Sequence, residues 1–226
     1  MFAIPDINEL AMRAVAIIPA LTFHEFAHAW AAYRAGDETA YRMGRLSFNP
    51  LVHLDPLGTI MLFFSPIGWA KPVPVNPANY RNPRRDDIIV SVAGVTANGL
   101  LALFWTAVCS VVLYLQARQG VGASGVGQSD GLLSVLQSMA FWGIFINVAL
   151  AVFNLLPIPP LDGSHVLAQM LKGHAAIRYA QLQRYGIGLL IAFVIFNRFV
   201  PVLLKTIMFL VEPLIHIAIR VAEFAL

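Results

Sequence analysis

The chain has 226 residues, 58% of them hydrophobic and 12% charged, with a formal net charge of +3. A soluble domain is roughly half apolar and about a quarter charged, so a water-soluble fold is excluded and an all-α integral membrane protein of about 4–6 transmembrane helices is expected. The basic residues are scattered without aromatic interleaving, which gives no footprint for nucleic acid, and Cys109 is the only cysteine, which excludes an intramolecular disulfide.

The first apolar segment, from about Ile7 to Tyr33, is predicted to span the membrane and carries His24-Glu25-Phe26-Ala27-His28 in its C-terminal half. Two histidines four residues apart share one helix face and can grip a single zinc ion, with Glu25 placed to take a proton from water activated by it. Val15, Ile17, Ile18, Leu21 and Phe23 on one flank, and Ala29, Trp30, Ala31 and Ala32 on the other, put the motif within or just under the membrane surface. Because this segment carries the motif, it is not expected to be a cleavable leader, and no lipid-anchor motif is present.

From Gly36 to Asp87 the chain is expected to be irregular, since Pro50, Pro56, Pro66, Pro72, Pro74, Pro77 and Pro83 exclude a regular spanning helix. Within it, Leu57 to Trp69 is apolar but, at about 13 residues, too short to cross; it is expected to be re-entrant or interfacial. Val73-Pro74-Val75 is a candidate edge strand. Irregular backbone at membrane depth is tolerated only where protein covers it or it lines water, so this stretch is a candidate lining for an aqueous pocket.

A second span is predicted from about Ile88 to Leu115, then a flexible Gly/Ser-rich loop from Gln116 to Gly131, then a third span from about Leu132 to Leu156. The third span ends in Asn154-Leu155-Leu156-Pro157-Ile158-Pro159-Pro160-Leu161-Asp162-Gly163. A more polar stretch leads to a fourth apolar run, about Ile187 to Leu204, interrupted by Asn197-Arg198 and Pro201. The last piece, Thr206 to Leu226, sets Glu212, His216, Arg220 and Glu223 on one stripe, which fits either an interfacial helix or a span packed with its polar face inward.

Basic residues orient the spans. Arg34, Arg42, Arg45, Lys71, Arg81, Arg84 and Arg85 lie between the first two, Arg118 alone between the second and third, and Lys172, Arg178 and Arg184 after the third. The positive-inside rule therefore puts the end of the first span, and Asp162 just past the third, on the cytoplasmic side. The Arg81 to Asp87 cluster fits a membrane-surface anchor.

A catalytic zinc needs about three protein ligands and an open position. His24 and His28 supply two, and His53, Asp55, Asp162, His165 and His174 lie on the same predicted side. Asp162 is favoured because Pro159-Pro160 stops the preceding helix and Gly163 permits a tight backbone; His53 and Asp55 are the alternatives. The plainer expectations are that His53 and Asp55 shape their loop, that His165 and His174 are solvated, and that Asn98 and Asn147 pack helices together.

Three stretches together resemble the site-2 proteases, a family of intramembrane zinc metalloproteases: His24-Glu25-Phe26-Ala27-His28, Gly68-Trp69-Ala70-Lys71-Pro72-Val73-Pro74-Val75-Asn76-Pro77, and Asn154 to Gly163. The resemblance runs from about residue 20 to about 170. It implies one Zn2+ held by His24, His28 and Asp162, water activated by Glu25, and a substrate-positioning or oxyanion-stabilising role for Asn154. It also implies that the partner is a transmembrane segment of another protein; the expected location is the plasma membrane, with the site toward the cytoplasmic side as the basic residues place it. Where the family often has Ala-Gly-Pro-x-x-Asn, this chain has Ala93-Gly94-Val95-Thr96-Ala97-Asn98, without the proline. The chain is expected to form a compact version, residues 1–226 as a single membrane-embedded domain with a core of about 7–172 and C-terminal helices of about 175–226. This version is expected to carry neither a PDZ or CBS module nor a further span before the motif. The alternative is a zinc-binding membrane protein without hydrolysis, a transporter or scaffold; retention of Glu25 and clustering of the ligands at one depth weigh against it.

Overall fold

The computed structural model describes residues 7–64, 69–119, 131–199 and 201–225. The Ser65-Pro66 step, Gly68 and most of the Gly/Ser-rich loop expected at 116–131 lie outside the described residues. Nine helices are found among those described: α1 (Ile7–Ala35), α2 (Thr39–Arg42), α3 (Pro56–Phe64), α4 (Pro83–Arg118), α5 (Leu132–Asn154), α6 (Asp162–Met170), α7 (Gly173–Gln183), α8 (Gly186–Phe199) and α9 (Val202–Phe224). Two single 3-10 turns, Pro50–Val52 and Pro77–Asn79, complete the backbone.

Four helices are long and apolar enough to cross a bilayer: Glu9–Ala35 of α1, then α4, α5 and α9. The pair α7 and α8, bent by 81°, makes a fifth if it is counted as one broken span. The expected all-α membrane architecture is therefore what the chain adopts. At 1.5 Å per residue, the 36-residue α4 is about 54 Å long, well beyond a hydrocarbon core of about 30 Å, so its ends project past it. It is the central helix, packing on α1, α5, α6 and α9. Small residues let α1 approach closely: Ala16, Ala20, Ala29 and Ala32 are fully buried. Within α4, Thr106 and Ser110 satisfy their hydroxyls on the carbonyls of Ala102 and Thr106, so neither is left unpaired in an apolar setting.

Three expectations change, and one of two open alternatives falls away. The second span starts at Pro83 and not near Ile88, because Pro83 occupies the first helical turn, where no N–H is required, and the Asp86 carboxylate accepts the Asn82 N–H at 2.8 Å. The fourth apolar run is divided: α8 ends at Phe199, and Val202–Leu204 open α9 behind Pro201 at its N-cap. No strand occurs among the described residues, and Val73-Pro74-Val75 is extended without a ladder. Its prolines have no N–H, and the Val73 N–H is committed to the Glu25 carboxylate. Finally, α9 does not turn its polar face inward: Ile207, Val211, Ala218 and Ala222 face the core with Cys109 and Leu113 of α4 and Ala140, Ile144 and Val148 of α5, while Glu212, His216, Arg220 and Glu223 are exposed.

Candidate metal centre

The H-E-x-x-H motif lies on α1 as its spacing requires. His24, Glu25 and His28 are all buried. Opposite it, α4 presents Val90, Gly94 and Asn98, again four residues apart, so one face of each helix meets the other. His24 Nδ1 is 2.6 Å from Asn98 Oδ1, and His28 Nδ1 is 2.8 Å from the Val90 carbonyl. Both partners are acceptors, so each imidazole donates from Nδ1, the arrangement that leaves Nε2 available to a metal.

The third member comes from α6. Asp162 is its first residue, and Gly163 packs against the end of α5, where a Cβ would overlap the Leu155 carbonyl. Asp162 Oδ2 lies 3.3 Å from both Nε2 atoms, which are 3.1 Å apart. The C-terminal half of α6 is fastened to the start of α4: Gln169 Nε2 donates to Asp87 Oδ2 at 2.8 Å, and Arg84 Nε donates to the Gln169 carbonyl at 2.8 Å. Among the described residues, His24, His28 and Asp162 are the group of histidines, cysteines and carboxylates close enough to share an ion.

The cluster fits zinc on three observations. Ligand atoms about 2.0–2.1 Å from a tetrahedral ion stand about 3.3 Å apart, which matches all three separations. Asp162 Oδ2 is buried without a hydrogen-bond partner, and both Nε2 atoms converge on it at 3.1 Å from each other, three potential donors of lone pairs gathered where a cation would satisfy all of them. A Cβ added at Gly94 would collide with His28 Nε2 and the His24 ring, so the missing side chain is what leaves the space open.

Glu25 is outside the cluster but beside it. Its Oε2 accepts the Val73 N–H at 2.9 Å. The segment that delivers this N–H is held along its length. The Lys71 N–H donates to the His53 carbonyl at 2.8 Å, Arg45 Nη2 donates to the Lys71 carbonyl at 2.6 Å, and the Asn76 N–H donates to Asp37 Oδ2 at 2.7 Å. His53 and Asp55 are not brought to the metal cluster. His53 is fully buried, its Nε2 donating to the Ser47 carbonyl, and Asp55 accepts the Gly58 N–H. His165 stands half-exposed, 3.9 Å from Asp87, and His174 is exposed. Asn154, at the end of α5, donates through Nδ2 to the Leu150 carbonyl at 3.0 Å.

The sequence expectation missed what surrounds the ligands. Asn98, expected to be a packing group, holds His24 and also donates through Nδ2 to the Ala20 carbonyl and to Asn147 Oδ1, joining α1, α4 and α5. Asn147 in turn donates to the Gly143 carbonyl. The available signal was the four-residue spacing of Gly94 and Asn98, which repeats the spacing of the two histidines.

A buried two-histidine, one-carboxylate metal site with a glutamate beside it, enclosed by helices that can cross a bilayer, defines a membrane metallohydrolase. Residues 12–196 match peptidase family M50, and the chain belongs to that family. It is 37% identical over 172 residues to "Putative zinc metalloprotease YwhC" of Bacillus subtilis, covering 76% of this chain and 74% of that protein. It is 29% identical over 180 residues to "Putative zinc metalloprotease Rip2" of Mycolicibacterium smegmatis and over 177 residues to the protein of that name from Mycobacterium tuberculosis. These matches cover 77% and 76% of this chain, but 63% and 61% of the two relatives. No solved structure matches it. The resemblance to site-2 proteases is thus borne out: the protein is an integral membrane zinc metalloprotease.

Proposed function

We propose that the protein is an intramembrane endopeptidase, hydrolysing peptide bonds within or near the membrane-spanning segments of other proteins from the cytoplasmic side of the plasma membrane. The observation that carries this is the meeting of His24, His28 and Asp162, with Glu25 buried beside them, on helices that span or abut the bilayer. The orientation rests on seven arginines and lysines from Arg34 at the end of α1 to Arg85 in the first turn of α4, against Arg118 at the far end of α4.

In this mechanism His24, His28 and Asp162 hold zinc, which when bound supplies a Lewis acid for water and for the scissile carbonyl. Glu25 is the general base. Its Oε2 is fixed by the Val73 N–H, so Oε1 is the oxygen that takes the proton from water and returns it to the leaving amine. Asn98 and the Val90 carbonyl keep both imidazoles in the tautomer that leaves Nε2 free for the metal. Asn154 has a second N–H beyond the one given to Leu150, and an amide donor aimed at a developing oxyanion is typically worth about 3 kcal/mol. A substrate helix shields its own peptide bonds, so the bound segment must unwind locally before attack. The irregular stretch between α1 and α4, open to the cytoplasm, is where water would enter.

Glu25 separates this from a non-hydrolytic metal-binding role, since it is buried at the site without belonging to the metal cluster. The test is a single-spanning reporter with a tag at each end, reconstituted with wild-type protein and with Glu25→Gln. Loss of cleavage with zinc content unchanged is expected. Cleavage by a zinc-loaded Glu25→Gln form would refute the mechanism.

A further inference from the structure

The outward face of α9 carries a polar stripe that the proteolytic site does not use. Lys205, Glu212, His216, Arg220 and Glu223 recur at helical spacing and are all exposed, on the side opposite the packed Ile207, Val211, Ala218 and Ala222. The helix lies against α4 and α5, both able to span, and shares a core with Ile144 near the middle of α5. It is therefore at membrane depth and not on the surface. Glu212 and His216 fall in the middle of the 23-residue helix, about 15 Å or more from its start. At that depth ionisable side chains are costly in lipid and are found facing protein or water. A second feature points the same way. Pro213 has no N–H for the Phe209 carbonyl, and Phe209, 73% exposed, is on the same outward face, so a backbone acceptor is freed where hydrocarbon cannot satisfy it.

The geometry points to a second copy of this chain as the partner of this face, forming a two-fold dimer about an axis along the membrane normal. The stripe is self-complementary. Copies in one membrane run parallel, so a residue meets its own equivalent and that residue's neighbours along the stripe. Those neighbours pair: Glu212 with a His216 N–H of the other copy, and Arg220 with the other copy's Glu223, each contact made twice. Arg220 and Glu223 are already 3.9 Å apart within one copy, so both are placed to share a four-charge network. Exposed Phe209 lies within the stripe, and exposed Phe224 and Ile217 border one side of it, supplying apolar contact for such an interface. A substrate span would have to bring matching charges of its own, whereas a second copy brings them by symmetry.

The test uses the full chain in membranes. Cys109 is buried on the opposite side of α9, and replacing it by alanine leaves no native thiol. Cysteines introduced singly at Phe209 and Ile217 are expected to form a disulfide-linked dimer of twice 24.7 kDa on mild oxidation. One at Leu103, exposed on α4, is not. In phosphatidylcholine vesicles diluted with lipid, energy transfer between labelled copies should show association about tenfold weaker for Glu212→Leu, since the partner imidazoles lose their acceptors. The exchange Glu212→His with His216→Glu should restore it. Zinc content is expected to be unchanged in every variant, because the stripe is remote from the metal cluster. Equal crosslinking at Leu103, unaltered association of Glu212→Leu, or crosslinks at Phe209 to a different protein in place of the dimer would each overturn the proposal. If Glu212→Leu does not fold, the cysteine pattern and the charge exchange decide it.

Discussion

Asn98 Oδ1 accepts the His24 Nδ1 proton at 2.6 Å, while the same side chain's amide donates to the Ala20 carbonyl and to Asn147. One residue of α4 thus orients a histidine of the candidate metal cluster on α1 and is itself held by α1 and α5. Loss of such a partner typically lowers metal affinity about 10–100-fold. Asn98→Ala is expected to weaken zinc binding by that order, measured by competition with a chelator of known affinity. Asn98→Asp keeps the acceptor and should retain more affinity than alanine. Equal affinities for wild type and Asn98→Ala would remove Asn98 from the site.

Gly94 sits between the two histidines' partners on α4, and a Cβ there would overlap His28 Nε2. Helix propensity alone favours Gly94→Ala by about 0.8–1.0 kcal/mol. The expected sign is the reverse for function: the zinc-loaded fraction falls sharply because the methyl occupies the ion's space. The thermal midpoint of the zinc-free protein is then the informative control. A variant that binds zinc normally would show that the histidines can shift aside, and that the close approach is not what shapes the cluster.

What was legible in the sequence follows from which groups carry side-chain identity. His24, Glu25 and His28 are placed by helix period alone, and Asp162 stands out because prolines and a glycine bracket it. The contacts that orient them are partly main-chain: the Val90 carbonyl on His28 could come from any residue type, and the Val73 N–H on Glu25 from any but proline. Apolar spans were visible because about twenty apolar residues have few alternatives. The break before α9 was signalled by Pro201, but the 81° bend between α7 and α8 depends on tertiary packing: a Cβ at Gly186 would press on Pro159, and the Tyr179 hydroxyl donates to the Pro157 carbonyl at 3.1 Å. Val73-Pro74-Val75 looked like a strand because its composition is extended; nothing local says that the Val73 N–H serves a carboxylate on α1.

That N–H can be deleted. Val73→Pro removes the donor to Glu25 in a position that already precedes a proline and is therefore confined to extended backbone. A hydrogen bond to a charged group contributes about 1.5–3 kcal/mol, so reporter cleavage should slow by roughly 10–100-fold. Zinc content should not change, because neither Val73 nor Glu25 belongs to the metal cluster. A cleavage rate equal to wild type would show that Glu25 is oriented without this contact.

Asp37 anchors the far end of the same segment. Its fully buried carboxylate accepts from the Thr39 N–H and hydroxyl, the Asn76 N–H and the Asn79 amide. Burial pushes its pKa up, but the hydrogen bonds outweigh burial and hold it below the ordinary carboxylate value. A folded value below the unfolded one, about 3.9, means that the stabilisation is fully present above the unfolded value and is lost as pH falls through the folded one. Asp37→Asn sets its own N–H groups against those donors, and should cost about 2–3 kcal/mol at neutral pH. In zinc-free protein in detergent, the gap in thermal midpoint between wild type and Asp37→Asn should therefore be constant from pH 7 to about 5 and close below pH 4. Because Asn76 is three residues from Val73, the same variant should slow cleavage at pH 7 while leaving zinc bound. A midpoint gap that widened on acidification would have the wrong sign for a carboxylate held ionised in the fold.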